Sequence, residues 1–141
     1  MGFFSASLIS SSGMSVQRQV MDVISENLAN VNTIEVEGGG PYRRKIPVVG
    51  TKQVATFSSL IGQRMQEVVS MKDVVEDTAA PKRVFEPDHP LADKDGYIDK
   101  PNINVSLEMI NMIVATRAYE ANVAAYNASK AMANKALQIG A

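Results

Sequence analysis

Cysteine and tryptophan are absent from the 141 residues, and histidine occurs once, as His89. Without thiols there are no disulfide scaffolds, no thiolate catalysis and no zinc sites built on Cys. A single imidazole argues against His-rich metal centres and Ser-His-Asp relays. Aromatics make up only 6%, so the 45% hydrophobic content rests on Ala, Val, Ile, Leu and eight Met, a mixture suited to helix-on-helix packing. Neither sign of charge is in surplus: 14 Lys plus Arg face 15 Asp plus Glu. Nucleic-acid binders and polybasic membrane readers both need excess positive charge, so neither is expected. Apolar runs stay well short of the roughly 20 residues that cross a bilayer. The first basic side chain is Arg18, and Ala6 stands where a myristoylation pattern wants Ser or Thr. The expectation is a chain without a cleaved secretory signal and without membrane insertion. Its length suits one domain.

What is present falls into three parts. Residues 3–32 contain no Pro and one Gly, Gly13; residues 34–101 carry all six Pro and most of the Gly; residues 102–139 have neither, and Gly140 follows. Because Gly and Pro are the strongest local breakers, this reads as helix, irregular insert, helix, with parts at 1–33, 34–101 and 102–141. In the first part Ile9, Val16, Val20, Val23, Ile24 and Val31 share one stripe, together with Gly13 and Asn27. In the last, Met109, Met112, Thr116, Tyr119, Val123, Tyr126, Lys130, Ala133 and Leu137 alternate three and four apart, a heptad-like seam. A second stripe runs through Ile110, Val114, Ala121, Ala124, Ala128 and Ala131, so this helix has neighbours on more than one side. Asn104 is placed to cap it, and Glu108 falls in the first turn, where a carboxylate suits the helix dipole.

The insert contains short β-like pieces at 46–49, 67–71, 73–76 and 83–86, separated by turn-formers, which predicts a small sheet or hairpin. Residues 51–66 are ambiguous between loop and short helix. The run Asp93-Lys-Asp-Gly-Tyr-Ile-Asp99 invites a calcium reading, but an EF-hand aligned on Gly96 needs acids where Leu91 and Asn102 stand, so an Asx or type I turn is expected. His89 has no second imidazole or nucleophile to work with and reads as a turn residue. Gly38-Gly-Gly40 lacks the Lys-Ser/Thr of a phosphate loop and reads as a joint, and Arg43-Arg-Lys45 as a solvated or interface loop. No catalytic, metal or cofactor site is expected.

The distinctive residues are polar and lie on helices. Asn27, Asn30 and Asn32 close the first helix, and Asn111, Asn122, Asn127 and Asn134 punctuate the last. Asn has poor helix propensity and is costly when buried alone, but at seam positions it fixes register and neighbour choice; solvent exposure is the bland alternative.

Ser25-Glu-Asn-Leu-Ala-Asn-Val-Asn-Thr33 resembles the signature of bacterial flagellar rod and hook proteins. Gly39-Gly-Pro-Tyr-Arg-Arg-Lys45, residues 89–97, Pro101-Asn-Ile-Asn-Val105 with Glu108-Met109, Thr116-Arg-Ala-Tyr-Glu-Ala-Asn122 and residues 135–140 add to it in order, and narrow it to the proximal-rod branch of that axial family. Residues 46–80 depart most from the pattern. The resemblance implies a structural subunit of the basal-body rod, exported through the flagellar type III apparatus without signal cleavage and assembled across the periplasm. It implies terminal helices packed around the central channel to transmit torque. The implied partners are other rod subunits, proximal and distal, the rod–MS-ring junction protein and the export apparatus. The expected fold is mainly α with a small β-containing insert, its long N- and C-terminal helices pairing as an antiparallel coiled-coil-like bundle. The expected assembly interface comprises Val16, Val20, Val23, Asn27, Asn30, Asn32, Met109, Met112, Thr116, Tyr119, Val123, Tyr126, Asn127 and Leu137. From the residues alone, a cytoplasmic coiled-coil adaptor is the competing reading, and a small enzyme stands behind it.

Overall fold

The computed structural model describes residues 3–36, 39–55 and 65–139, with the side chains of Phe3, Phe4 and Ile139 outside the description. Helix α1 spans Phe3–Ala29. It stops where Asn30 turns its side chain back: Nδ2 donates to the Glu26 carbonyl at 2.9 Å, and Oδ1 accepts from Thr33 Oγ1 at 3.1 Å. Helix α2 spans Val105–Ile139, 35 residues and roughly 50 Å. Asn104 caps it through Oδ1, which accepts the Leu107 N–H at 3.2 Å. The helices run antiparallel: Asn27 meets Glu108, Met21 meets Thr116, and Gly13 meets Asn122.

Between them lie two antiparallel ribbons. Strand β1, Lys45–Val54, pairs with β2, Gln66–Glu76, so that Lys45 stands opposite Glu76 and Val54 opposite Gln66. The register shifts at Val48/Val49, whose partners are Asp73 and Met71; Lys72 is the extra residue of a β-bulge. Its side chain crosses Gly50, where a Cβ would stand 2.3 Å from Lys72 Cε, so any larger residue there would have to displace the exposed lysine. The short strands β3, Lys82–Phe85, and β4, Tyr97–Lys100, form the second ribbon.

The expectation of a mainly α, coiled-coil-like bundle is overturned. Among the described residues there are two helices and two small antiparallel sheets, which is an α+β arrangement. Two helices cannot enclose a core between themselves, and the first ribbon supplies the third wall, packed chiefly on α1. The pieces read at 67–71 and 73–76 are one strand interrupted by the bulge, residues 51–54 extend β1, and β4 was not foreseen. Residues 56–64 of the ambiguous stretch lie outside the described residues.

The core is small. Among the described residues its buried apolar members are Val16, Val23, Ile24, Tyr42, Val68, Ile98, Ile103 and Ala115. The chain presents 9877 Å² of accessible surface, against roughly 7,100 Å² for a compact monomer of this mass. A fold so open has surface to share.

Candidate assembly surface

A polar hub lies at the meeting of α1, α2 and β1. Asn27 and Glu108 are each 1% exposed, the most deeply buried large side chains described. Asn27 Oδ1 accepts the Lys45 N–H at 2.8 Å and the Tyr42 hydroxyl at 3.1 Å. Its Nδ2 donates to the Lys45 carbonyl at 2.8 Å and, more distantly, to Glu108 Oε2 at 3.4 Å. The amide therefore joins the backbone of β1 as another strand would. Glu108 Oε1 accepts from Arg44 Nε at 2.7 Å and stands 2.6 Å from Nη2 of the same guanidinium. Burial pushes the Tyr42 hydroxyl up to about 12, with the nearby carboxylates of Glu26, Glu76 and Glu108 adding to the effect. The phenol stays a donor. Every buried polar side-chain atom described has a partner.

Around this hub the expected interface residues divide. Val16 and Val23 are buried in the chain's own core, and Val20, Met112, Tyr119, Val123 and Tyr126 are half-buried. Asn27 is the hub itself and half-buried Asn30 the helix stop, while Asn32, Thr116 and Asn127 are exposed. Met109 is 56% exposed and Leu137 75%. On α2 the face turned inward is marked by Glu108, Asn111, Ala115, Ala118, Asn122 and Ser129. Each of these stands one position before a seam residue, so at about 100° per residue the seam read from the sequence is rotated from the packed face by roughly 100°. The packed face is polar and small-sided because the helices approach closely, as Gly13 and the buried Ser10 and Ser129 require.

The opposite face of α2 is apolar and bare. Leu107, Ile110, Ile113, Val114 and Met132 are each about half or more exposed, and Ala121, Ala124 and Ala128 continue the row. Singly exposed apolar residues are ordinary, but a row along one helix makes a candidate contact surface. Leu137 lies on the α1 side of α2 beyond the end of α1, where it lines a groove with Ser7, Tyr126, Lys130 and Ala133.

Sequence reasoning placed Glu108 in the first turn of α2 and missed its pairing with Arg44; a chain separation of 64 residues leaves no local signal. The role of Tyr42 was missed for the same reason. The turn at 93–97 forms as expected: Asp93 Oδ1 accepts the N–H groups of Asp95 and Tyr97, each at 2.9 Å, and Gly96 has φ +78°. His89 Nδ1 accepts the Leu91 N–H at 3.1 Å. Among the described residues no helix is long and apolar enough to cross a membrane, and no group of acidic or imidazole side chains is gathered for a metal.

Residues 8–34 match the family model for flagella basal body rod proteins, and residues 94–139 match that for the C-terminal part of the flagellar basal body rod FlgEFG proteins. Along the whole chain, similarity extends to the flagellar basal-body rod protein FlgC of Bacillus subtilis, 39% identical and covering 94% of both chains. The FlgC of Borreliella burgdorferi is 36% identical over 99% of this chain and 98% of its own. That of Aquifex aeolicus is 34% identical over 92% and 91%.

Proposed function

The chain belongs to the FlgC family of flagellar basal-body rod proteins, and from that premise we propose how its surfaces build the rod. It is a structural subunit of the flagellar basal body and associates with other basal-body components; the cytoplasmic adaptor reading has no support among its relatives. In the proposed arrangement the α1–α2 pair is the unit that packs side by side with neighbouring subunits. The observation that carries this is the bare row Leu107, Ile110, Ile113, Val114 and Met132, which no element of the chain covers among the described residues. Burial of such a row releases about 25 cal/mol per Å² of apolar surface, so a long shallow contact repeated around a tube suffices to hold it.

Of the residues expected at the interface, the exposed Asn32, Met109, Thr116, Asn127 and Leu137 contact neighbours in this proposal, with the more shielded Met112 and Val123 flanking them. Val16, Val20, Val23, Asn27, Asn30, Tyr119 and Tyr126 shape the pair from within. The helices line the export channel and the two ribbons face outward, transmitting torque to proximal and distal rod neighbours and to the rod–MS-ring junction protein. The subunit crosses the envelope through the type III apparatus without signal cleavage, stands in the periplasm and performs no catalysis. The test is Ile113→Asp: the purified chain keeps its helical circular dichroism, while cells carrying it export the subunit but yield no rods. Normal rods in these cells would overturn the proposal.

A further inference from the structure

We infer that Glu108 is a register lock: it selects one alignment of α2 on α1 of the same chain, read through Arg44 and Asn27. The inference concerns the single chain and does not depend on which face contacts neighbouring subunits.

The need for a lock follows from the packing. The packed faces of α1 and α2 include many small residues, with Ser10 and Gly13 on one helix and Ala115, Ala118 and Ser129 on the other. Small residues give shallow knobs and holes, so at most of these positions sliding one helix past the other by a turn exchanges like for like, the fit of Asn122 over Gly13 being the exception. The same small-sided surfaces would accept helices from other copies of the chain. Apolar periodicity alone therefore leaves alignment and partner poorly defined.

Glu108 resolves both. Its carboxylate is 1% exposed, with Arg44 Nε at 2.7 Å and Nη2 at 2.6 Å on one oxygen and Asn27 Nδ2 at 3.4 Å from the other. Arg44 does not belong to either helix. It leads into β1, whose first residue, Lys45, is bound through its N–H and carbonyl to Asn27, and the Arg44 carbonyl accepts the Asp77 N–H at 2.7 Å. The guanidinium is thus fixed to α1 and to the first ribbon, and α2 must bring its carboxylate to it. A slide of one turn moves Glu108 about 5.4 Å, which leaves a charge without its partner in a buried site. A helix from another copy meets the same constraint, because Arg44 and Asn27 are already placed relative to their own chain. Buried ion pairs are weak sources of net stability, but register selection is a role they perform well.

The absence of native cysteine makes the test direct. Met21 and Thr116 touch across the helices, with Thr116 Oγ1 3.5 Å from Met21 Sδ. In the full-length chain, Met21→Cys with Thr116→Cys reports the native alignment by disulfide formation. Met21→Cys with Met112→Cys, and Met21→Cys with Tyr119→Cys, report alignments shifted by about a turn in either direction. With Arg44 and Glu108 intact, only the native pair should close. In an Arg44→Met/Glu108→Met background, the shifted pairs should close at least tenfold more than before and disulfide-linked dimers should appear, while the melting temperature stays the same or rises. Exclusive native closure in that background would overturn the lock. So would loss of the helical signal, since the pair would then supply stability rather than alignment, and so would closure of the shifted pairs with the ion pair intact.

Discussion

The side chain of Asn122 lies over Gly13 so closely that a Cβ there would stand 2.7 Å from Oδ1 and 3.0 Å from Cγ and Nδ2. Asn122 is held in place by its own bond, Nδ2 to the Ala118 carbonyl at 2.8 Å. Gly in a helix interior gives up about 1 kcal/mol against Ala; here it is kept because the partner helix needs the space. Gly13→Ala should therefore lower stability despite its better propensity, and Gly13→Val should lower it by about 2–3 kcal/mol through overpacking. Gly13→Ala combined with Asn122→Ala should recover the loss. Urea unfolding of the three variants checks the order.

Glu108→Ala removes a buried carboxylate and leaves Arg44 and Asn27 short of an acceptor. Breaking one side of a buried pair costs about 3–5 kcal/mol; with the Arg44 side chain 22% exposed, the lower end is expected. Glu108→Gln keeps an acceptor and should cost less than half as much. Thermal melts at neutral pH separate the two.

Tyr42 makes stability sensitive to alkali. Its folded pKa is raised from an ordinary 10.0 to about 12, first by burial and then by neighbouring carboxylates. Below pH 10 both folded and unfolded chains hold the proton, and the contribution is complete. Between pH 10 and 12 the unfolded chain ionises and the folded chain does not, so stability falls across that window. Tyr42→Phe should lose about 1 kcal/mol at neutral pH with its hydrogen bond to Asn27, yet show a shallower decline above pH 10. Urea midpoints from pH 8 to 12 measure both effects.

Much of this fold was legible where the controlling physics is local. Helix limits fell within three residues of those read from Pro and Gly spacing, because Asn30 and Asn104 act on their own turns. The gap between the pieces at 67–71 and 73–76 was also real: Lys72 is where the register shifts, although the strand continues through it. The fold class was misjudged because Thr51-Lys-Gln-Val54 is polar enough to hide half of β1, and because Tyr97–Lys100 is too short to show alternation. The face of α2 that meets α1 was not legible for a different reason. Periodicity located two apolar stripes, whereas the packed face, marked by Glu108, Asn111, Ala115, Ala118, Asn122 and Ser129, is too polar and small-sided to show in an apolar pattern. Glu108 fixes that face through Arg44, and neither residue announces the other.

At the 93–97 turn, Gly96 takes φ +78°, and a Cβ would meet Phe85 Cε2 at 3.0 Å. Gly96→Val thus combines left-handed strain with a clash against the β3–β4 ribbon, and a loss of at least about 1–2 kcal/mol is expected. The Asp93 carboxyl is lowered from its ordinary value, chiefly by the Tyr97 N–H, with Arg83 and the Asp95 N–H contributing. Asp93→Ala should loosen this turn and His89→Ala should leave it intact. Amide exchange at residues 95–97 reports the difference, and calorimetry with calcium should show no heat of binding.

Val123 and Ile113 test the two sides of α2 against each other. Val123 is half-buried at the flank of the α1 contact, whereas Ile113 is 60% exposed on the bare face. Val123→Asp should weaken the isolated subunit by about 1–2 kcal/mol, because its charge loses hydration against α1. Ile113→Asp should change the stability of the isolated subunit by less than about 0.5 kcal/mol. In cells the order reverses in meaning: Ile113→Asp should abolish swimming with the subunit folded and present, and Val123→Asp should do so with less soluble subunit. Soft-agar motility read beside urea midpoints distinguishes the cases. Swimming by Ile113→Asp cells would show that the row through Ile110, Ile113 and Val114 is not where the rod is joined.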